Sequence, residues 1–134
     1  MQADMPFDLR DRLIALGADK RAASIPLNQR ANSAADWIAG TVVALDDQAV
    51  HADYWESHPA GDETLYLVDG RLTITLAREG TAETRVELQA GQAFIVPQGM
   101  WHRLHVLEPG RLLFITPAIG SEHSTAIRPR QSIE

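Results

Sequence analysis

The 134-residue chain has no cysteine, which excludes disulfides, thiolate metal knuckles and thiol nucleophiles together. Lysine is almost missing as well: Lys20 is the only one, and no run of basic residues occurs. With a formal net charge of -6, the chain lacks the electrostatic footprint of a nucleic-acid or anionic-membrane binder. No apolar run is long enough to cross a bilayer. The N-terminal stretch MQADMPFDLRDRLIALG carries acids where a secretory leader needs an apolar core. The expectation is a soluble, cytoplasmic protein with neither a nucleic-acid nor a membrane partner. Also absent are a G-x-S-x-G elbow, a P-loop and a Rossmann fingerprint, so no serine has a motif-based reason to be a nucleophile.

What is present is ordinary for a globular domain: 45% hydrophobic and 22% charged residues. A chain of this length fits one domain that buries roughly two-thirds of its unfolded surface. Leu9, Leu13 and Leu16, closed by Gly17, predict a short amphipathic helix over Phe7–Leu16. The stretch from there to Asp36, with Pro26 and Asn28, reads as extended or irregular. From Trp37 the texture changes to short β-runs between turn residues. Strands are predicted over Gly40–Leu45, Ala49–His58, Glu63–Val68, Leu72–Arg78, Thr84–Leu88, Ala93–Val96, Trp101–Leu107 and Arg111–Thr116. The breaks include Pro59-Ala60-Gly61-Asp62, Glu79-Gly80, Ala90-Gly91 and Pro97-Gln98-Gly99, while Asp69-Gly70 carries a short-hairpin signal. Many short strands without a long helix argue for a sandwich or closed antiparallel barrel. The chain thus divides into an N-terminal helix and extended arm (1–36), a β-barrel (37–119) and a polar tail (120–134), the tail reading as mobile or partner-dependent.

The stretch WESHPAGDETLYLVDG, Trp55 to Gly70, places costly ionisable groups at the start of a strand pattern. Side chains two apart on a strand share a face. Glu56 and His58 therefore point one way, and His51, Asp53 and Trp55 the other. Glu63 shares its face with Leu65 and Leu67, and His102 shares its face with Leu104 and Val106. Three ligand-capable residues thus open apolar inward faces, each just after a turn. Buried carboxylates are normally paired or bound to a metal, and two imidazoles with one carboxylate suit a divalent transition ion. Each histidine alone has a plainer reading as a structural or solvated side chain, and it is their joint placement that points to a metal. His51, Arg103 and His105, on outward faces, read as surface or dimer contacts, and Trp55 and Trp101 as packing on another layer or a partner chain. His123, in the tail, carries no argument. Phe94, Phe114, Leu65, Leu67, Leu72, Ile74, Leu104 and Leu113 are core candidates, some of them able to line a pocket.

At this point the chain resembles a small cupin, the double-stranded β-helix or jelly-roll family. The family's first motif is G-x5-H-x-H-x3,4-E-x6-G. His58, Glu63 and Gly70 match its second His, its Glu and its final Gly at the right spacing. The second motif is G-x5-P-x-G-x2-H-x3-N. Gly91, Pro97, Gly99 and His102 match it without a gap, and Val106 stands where Asn is usual. The string W-E-x-H-P-x-G-D-E is similar to one carried by other small cupins. The resemblance covers about Gly40 to Thr116 and implies an all-β jelly-roll barrel, preceded here by the short N-terminal helix. It also implies homodimers.

The first histidine of H-x-H is replaced here by Glu56. The implied metal ligands become His58, Glu63, His102 and Glu56, and the extra carboxylate shifts preference toward Mn²⁺ or Fe²⁺ while leaving Ni²⁺ and Zn²⁺ open. Glu56 has two further readings. It can act as a catalytic general base, with a second carboxylate nearby raising its pKa, or it can turn to solvent and leave a weak site. Asp62 should face outward and cap the turn. The resemblance implies a metal-dependent enzyme, dioxygenase- or isomerase-like, acting on a small organic molecule. The alternative is a non-catalytic binding or sensing cupin with a structural metal or none. No carboxylate- or phosphate-clamping cluster is visible in the sequence.

Overall fold

The computed structural model describes residues 5–32, 35–78 and 80–125, with the backbone alone at 31 and 32. Eleven strands and one short 3-10 segment make up the regular structure of the described residues. In chain order these are β1 Arg12–Leu16, β2 Ala22–Pro26, the 3-10 turn Leu27–Asn32, β3 Trp37–Ala44, β4 Trp55–Ser57 and β5 Glu63–Leu67. There follow β6 Arg71–Ala77, β7 Thr84–Gln89, β8 Ala93–Val96, β9 Trp101–Glu108, β10 Gly110–Pro117 and β11 Glu122–Ser124. Every strand pair is antiparallel. One sheet runs β2-β1-β3-β10-β5-β8 and the other β11-β4-β9-β6-β7. This is the all-β, two-sheet jelly roll that the motifs imply.

The core follows the period-2 pattern of each strand. Leu65 and Leu67 on β5, Leu72, Ile74 and Leu76 on β6, Leu88, Val96 and Leu112 form one buried cluster between the sheets. Leu113 is not part of it. Leu112, Phe114 and Thr116 are the β10 residues that face the interior cavity, so Leu113 lies on the outer side beside Tyr66. The adjacent leucines of GRLLF leave that choice open in sequence.

Several elements differ from expectation. No α-helix occurs among the described residues, and Phe7–Leu16 is not helical: Arg12–Leu16 is a strand with alternating burial at Leu13 and Ala15. The same short segment satisfies both a helical and an alternating pattern, and pairing with β2 and β3 decides between them. The expected strand Ala49–His58 is mostly a turn-rich loop, with only Trp55–Ser57 extended; His51 has a positive φ of 54° that no strand tolerates. Asp69-Gly70 is not a hairpin turn, because β5 and β6 lie in different sheets. Gly70, at φ 86°, instead carries the chain across from one sheet to the other. Part of the expected tail, Glu122–Ser124, is a strand paired with β4. The remainder of that tail from residue 126, together with Glu79 of one expected turn, lies outside the described residues. Among the described residues no helix is long and apolar enough to cross a membrane.

Candidate metal centre

The two turn-bearing motifs meet at one end of the barrel. Asp62 Oδ1 accepts a hydrogen bond from Gln98 N at 2.7 Å, Gln98 Nε2 donates to the Pro59 carbonyl at 2.6 Å, and Gly99 N donates to the His58 carbonyl at 3.1 Å. Asp62 is exposed, as expected, but its carboxylate does not cap its own turn: it ties the turn before β5 to the turn before β9. Those ties bring Glu63, on the first residue of β5, and His102, early in β9, toward the same point. In the β4–β9 pairing Glu56 lies opposite His102. His58 follows β4 directly.

The result is a four-residue cluster, Glu56, His58, Glu63 and His102, whose ligand-type atoms lie within 4.8 Å of one another. Glu63 Oε1 is 3.2 Å from His58 Nε2 and 3.0 Å from His102 Nε2. Glu56 Oε1 is 3.3 Å from His58 Nε2 and 3.7 Å from His102 Nε2. His58, Glu63 and His102 are 3%, 6% and 3% exposed, whereas Glu56 is only half-buried.

The imidazoles are oriented from behind. His102 Nδ1 donates to the Met100 carbonyl at 3.3 Å, which directs Nε2 into the cluster. His58 Nδ1 sits 2.9 Å from Ser121 Oγ, and Thr116 Oγ1 lies 3.4 Å from the same ring. Glu56 is held on its other oxygen: His123 Nε2 lies 2.7 Å from Oε2. The ring of His123 meets Tyr54 edge-on at 5.3 Å, and Tyr54 stacks on His51 at 5.4 Å. Ser121 and His123, missed from sequence, reach the site because β11 folds back onto β4. A polar tail carries no hydrophobic alternation that would announce such a strand.

The charges of these groups depend on one another. Burial pushes the Glu63 carboxyl up, but hydrogen bonds from His102 and His58 outweigh it and hold its pKa at about 2. Burial acts downward on His58, yet its hydrogen bonds with Glu56 and Glu63 raise it to about 9. For Glu56, burial and the Glu63 charge act upward, while His58 and His102 bring the balance below the ordinary carboxylate range. The upward shift expected for Glu56 from its carboxylate neighbour is therefore outweighed by the imidazoles.

The cluster opens into a cavity of about 570 Å³. Leu65, Leu104 and Phe114, three of the core candidates, line its apolar part together with Leu112, so they are also pocket walls. His51 and Arg103 line it too, contrary to their expected place on outward faces. Gly40 makes room for Phe114: a Cβ there would stand 2.8 Å from the ring and 2.6 Å from Leu13. Trp55 does lie opposite Glu56, but the chain covers it itself: it is buried, with the Arg103 guanidinium 4.8 Å above its ring. His105 pairs with Asp47 at 3.2 Å, away from the cluster.

The family model of the cupin domain matches residues 41–116, more than half of the chain. Among curated proteins no sequence match is found. Among solved structures, a cupin-2 domain containing protein from Shewanella frigidimarina NCIMB 400 is 23% identical, with a TM-score of 0.48 over 61% of this chain and 71% of that one. Oxalate decarboxylase from Bacillus subtilis is 19% identical, with a TM-score of 0.52 over 66% of this chain and 23% of that one. A Co(II) form of HppE in complex with substrate is 17% identical, with a TM-score of 0.50 over 60% of this chain and 44% of that one. The chain thus spans about a quarter of the oxalate decarboxylase and under half of HppE. At these identities the likeness concerns the fold. Taken with the family match and the shared motifs, it places the chain in the cupin family.

Proposed function

We propose that this cupin holds a divalent transition-metal ion through His58, Glu63, His102 and Glu56, and works as a metal-dependent enzyme on a small organic molecule. The observation that carries this reading is the convergence of four ligand-type atoms from three separate segments within 4.8 Å. The donor set fits such an ion. Ligands sharing one ion at bonds of roughly 2.0–2.2 Å stand about 3 Å apart, which is the spacing around Glu63 Oε1. Two carboxylates and two imidazoles suit Mn²⁺, Fe²⁺, Ni²⁺ or Zn²⁺. When bound, the ion would supply Lewis acidity and open positions for substrate or O₂.

The protein's own residues supply the rest. Ser121, Thr116 and the Met100 carbonyl fix the two imidazole rings, as outer partners of metal-binding histidines commonly do. The aliphatic walls exclude water from one side of the cavity. Glu56 is the most exposed member, so it is the group able to accept a proton at Oε1 while His123 keeps Oε2 in place. It therefore serves as fourth ligand or as general base. The named enzymes with this fold, an oxalate decarboxylase and a substrate-bound Co(II) protein, support an enzyme over a pure binding module.

The test is turnover of a panel of small organic acids and sugars, with O₂ consumption recorded, on protein loaded with each ion in turn. Metal-dependent turnover is expected. Stoichiometric ligand binding with no turnover under any ion would replace the enzyme by a binding module. Homodimerisation is proposed as well, supported by the apolar outer face of the six-stranded sheet, where Val43, Tyr66, Val68 and Ile95 are exposed.

A further inference from the structure

The cavity wall contains charges that the cluster does not use. Its carboxylates, Glu56 and Glu63, both face histidines. Its arginines are Arg30, from the 3-10 turn after β2, and Arg103 on β9. Elsewhere Arg10, Arg71 and Arg111 each face a carboxylate. The Arg30 side chain has no hydrogen bond or ion pair among the described residues. Arg103 uses Nε on the Ala52 carbonyl at 3.0 Å and lies over Trp55, with no carboxylate facing it among the described residues. A divalent ion in the cluster would offset the two carboxylate charges. Two guanidiniums would then remain on the wall of a cavity within a chain of net charge -6.

From this arrangement we infer that the cavity takes an organic anion, a carboxylate with an apolar body, and that Arg30 sets this preference. The inference rests on the metal reading for its charge balance. A guanidinium presents a planar fork that matches a carboxylate, and a partly enclosed apolar site strengthens that pairing relative to water. Leu65, Leu104, Leu112 and Phe114 supply the surface for the apolar body. A cavity of about 570 Å³ has room for a ligand of this kind beside the cluster. Arg30 lies in the stretch that reads as irregular in sequence, which explains why no anion clamp is visible there.

The experiment uses the full chain reconstituted with Mn²⁺ or Zn²⁺, with ion uptake measured first. Hexanoate and benzoate are then titrated calorimetrically against hexanamide and benzamide, their uncharged isosteres. The parent is compared with Arg30→Gln and with Arg111→Gln, a control whose arginine faces Asp69 outside the cavity. Thermal melts confirm that the variants fold. The expected result is binding of at least one carboxylate, no binding of its amide, and affinity about tenfold weaker in Arg30→Gln with ion uptake unchanged. Arg111→Gln should match the parent. If ion uptake is normal and carboxylates fail to bind below about 10 mM, the anion site is overturned while the metal reading stands. Equal binding of the amides, or an Arg30→Gln variant that binds like the parent, overturns it in the same way. A chain that takes up no ion overturns the metal reading and this charge balance with it.

Discussion

Glu56 stands between two sets of partners, with Oε1 toward His58 and His102 and Oε2 on His123 Nε2 at 2.7 Å. Replacing His123 with alanine leaves the four ligand-type residues in place but releases the fourth from its outer partner. Outer partners of ligands are commonly worth about 10–100-fold in metal affinity, so His123→Ala should bind the ion roughly tenfold more weakly, with little change in thermal stability of the metal-free chain. His123→Gln, which keeps a donor, should recover part of that loss. Titration with a competing chelator measures both, and unchanged affinity in His123→Ala would show that Glu56 needs no such support. At this scale the sequence is legible where a residue sits on a strand whose register the turns fix: Glu63 and His102 face inward with Leu65 and Leu104 as alternation requires. It is illegible for Ser121, His123 and Arg30, whose place depends on chain segments folding back from far along the sequence.

Among the elements, the crossings between sheets decide the shape of the barrel. Gly110 begins β10 directly against the Asp69-Gly70 crossing: a Cβ there would clash with the Asp69 carbonyl group and stand 2.7 Å from Gly70 N, all of it backbone. Asp69 Oδ1 also accepts from Arg111 N at 2.6 Å, fastening the two crossings together. Gly110→Ala should therefore cost about 3 kcal/mol or more in chemical denaturation, because no flexible side chain can yield. A loss below about 1 kcal/mol would mean that the crossings separate easily. The strand pattern from Glu63 to Thr116 is legible because turns with Gly and Pro punctuate short alternating runs. Pairing partners are less so, since Asp69-Gly70 has the composition of a hairpin yet joins strands of opposite sheets. Arg12–Leu16 shows the complementary ambiguity: a five-residue segment carries too few periods to separate helix from strand, and the neighbouring β2 and β3 decide.

For the whole molecule, the six-stranded sheet has an inner face that lines the core and cavity and an outer face that the segment around Leu9 touches at Thr41 but that leaves large apolar side chains exposed. Register places Leu113 beside Tyr66 and Ile95 beside Thr64 on that outer face, with Tyr66 39% and Ile95 58% exposed. A second copy of the chain would cover it. Sedimentation should find a dimer for the parent, and Ile95→Glu should weaken it by about tenfold or more without changing metal content. A parent that stays monomeric contradicts the dimer. The buried cluster concerns the molecule as a whole too, because two carboxylates among two imidazoles make sense in a barrel interior when a cation joins them. The most direct test is elemental analysis of protein purified without chelator, run beside His102→Ala. About one transition-metal ion per chain is expected in the parent, with loss of that ion in the variant. A parent that holds no ion even after reconstitution with Mn²⁺, Fe²⁺, Ni²⁺ and Zn²⁺, or a variant that keeps as much as the parent, would contradict it.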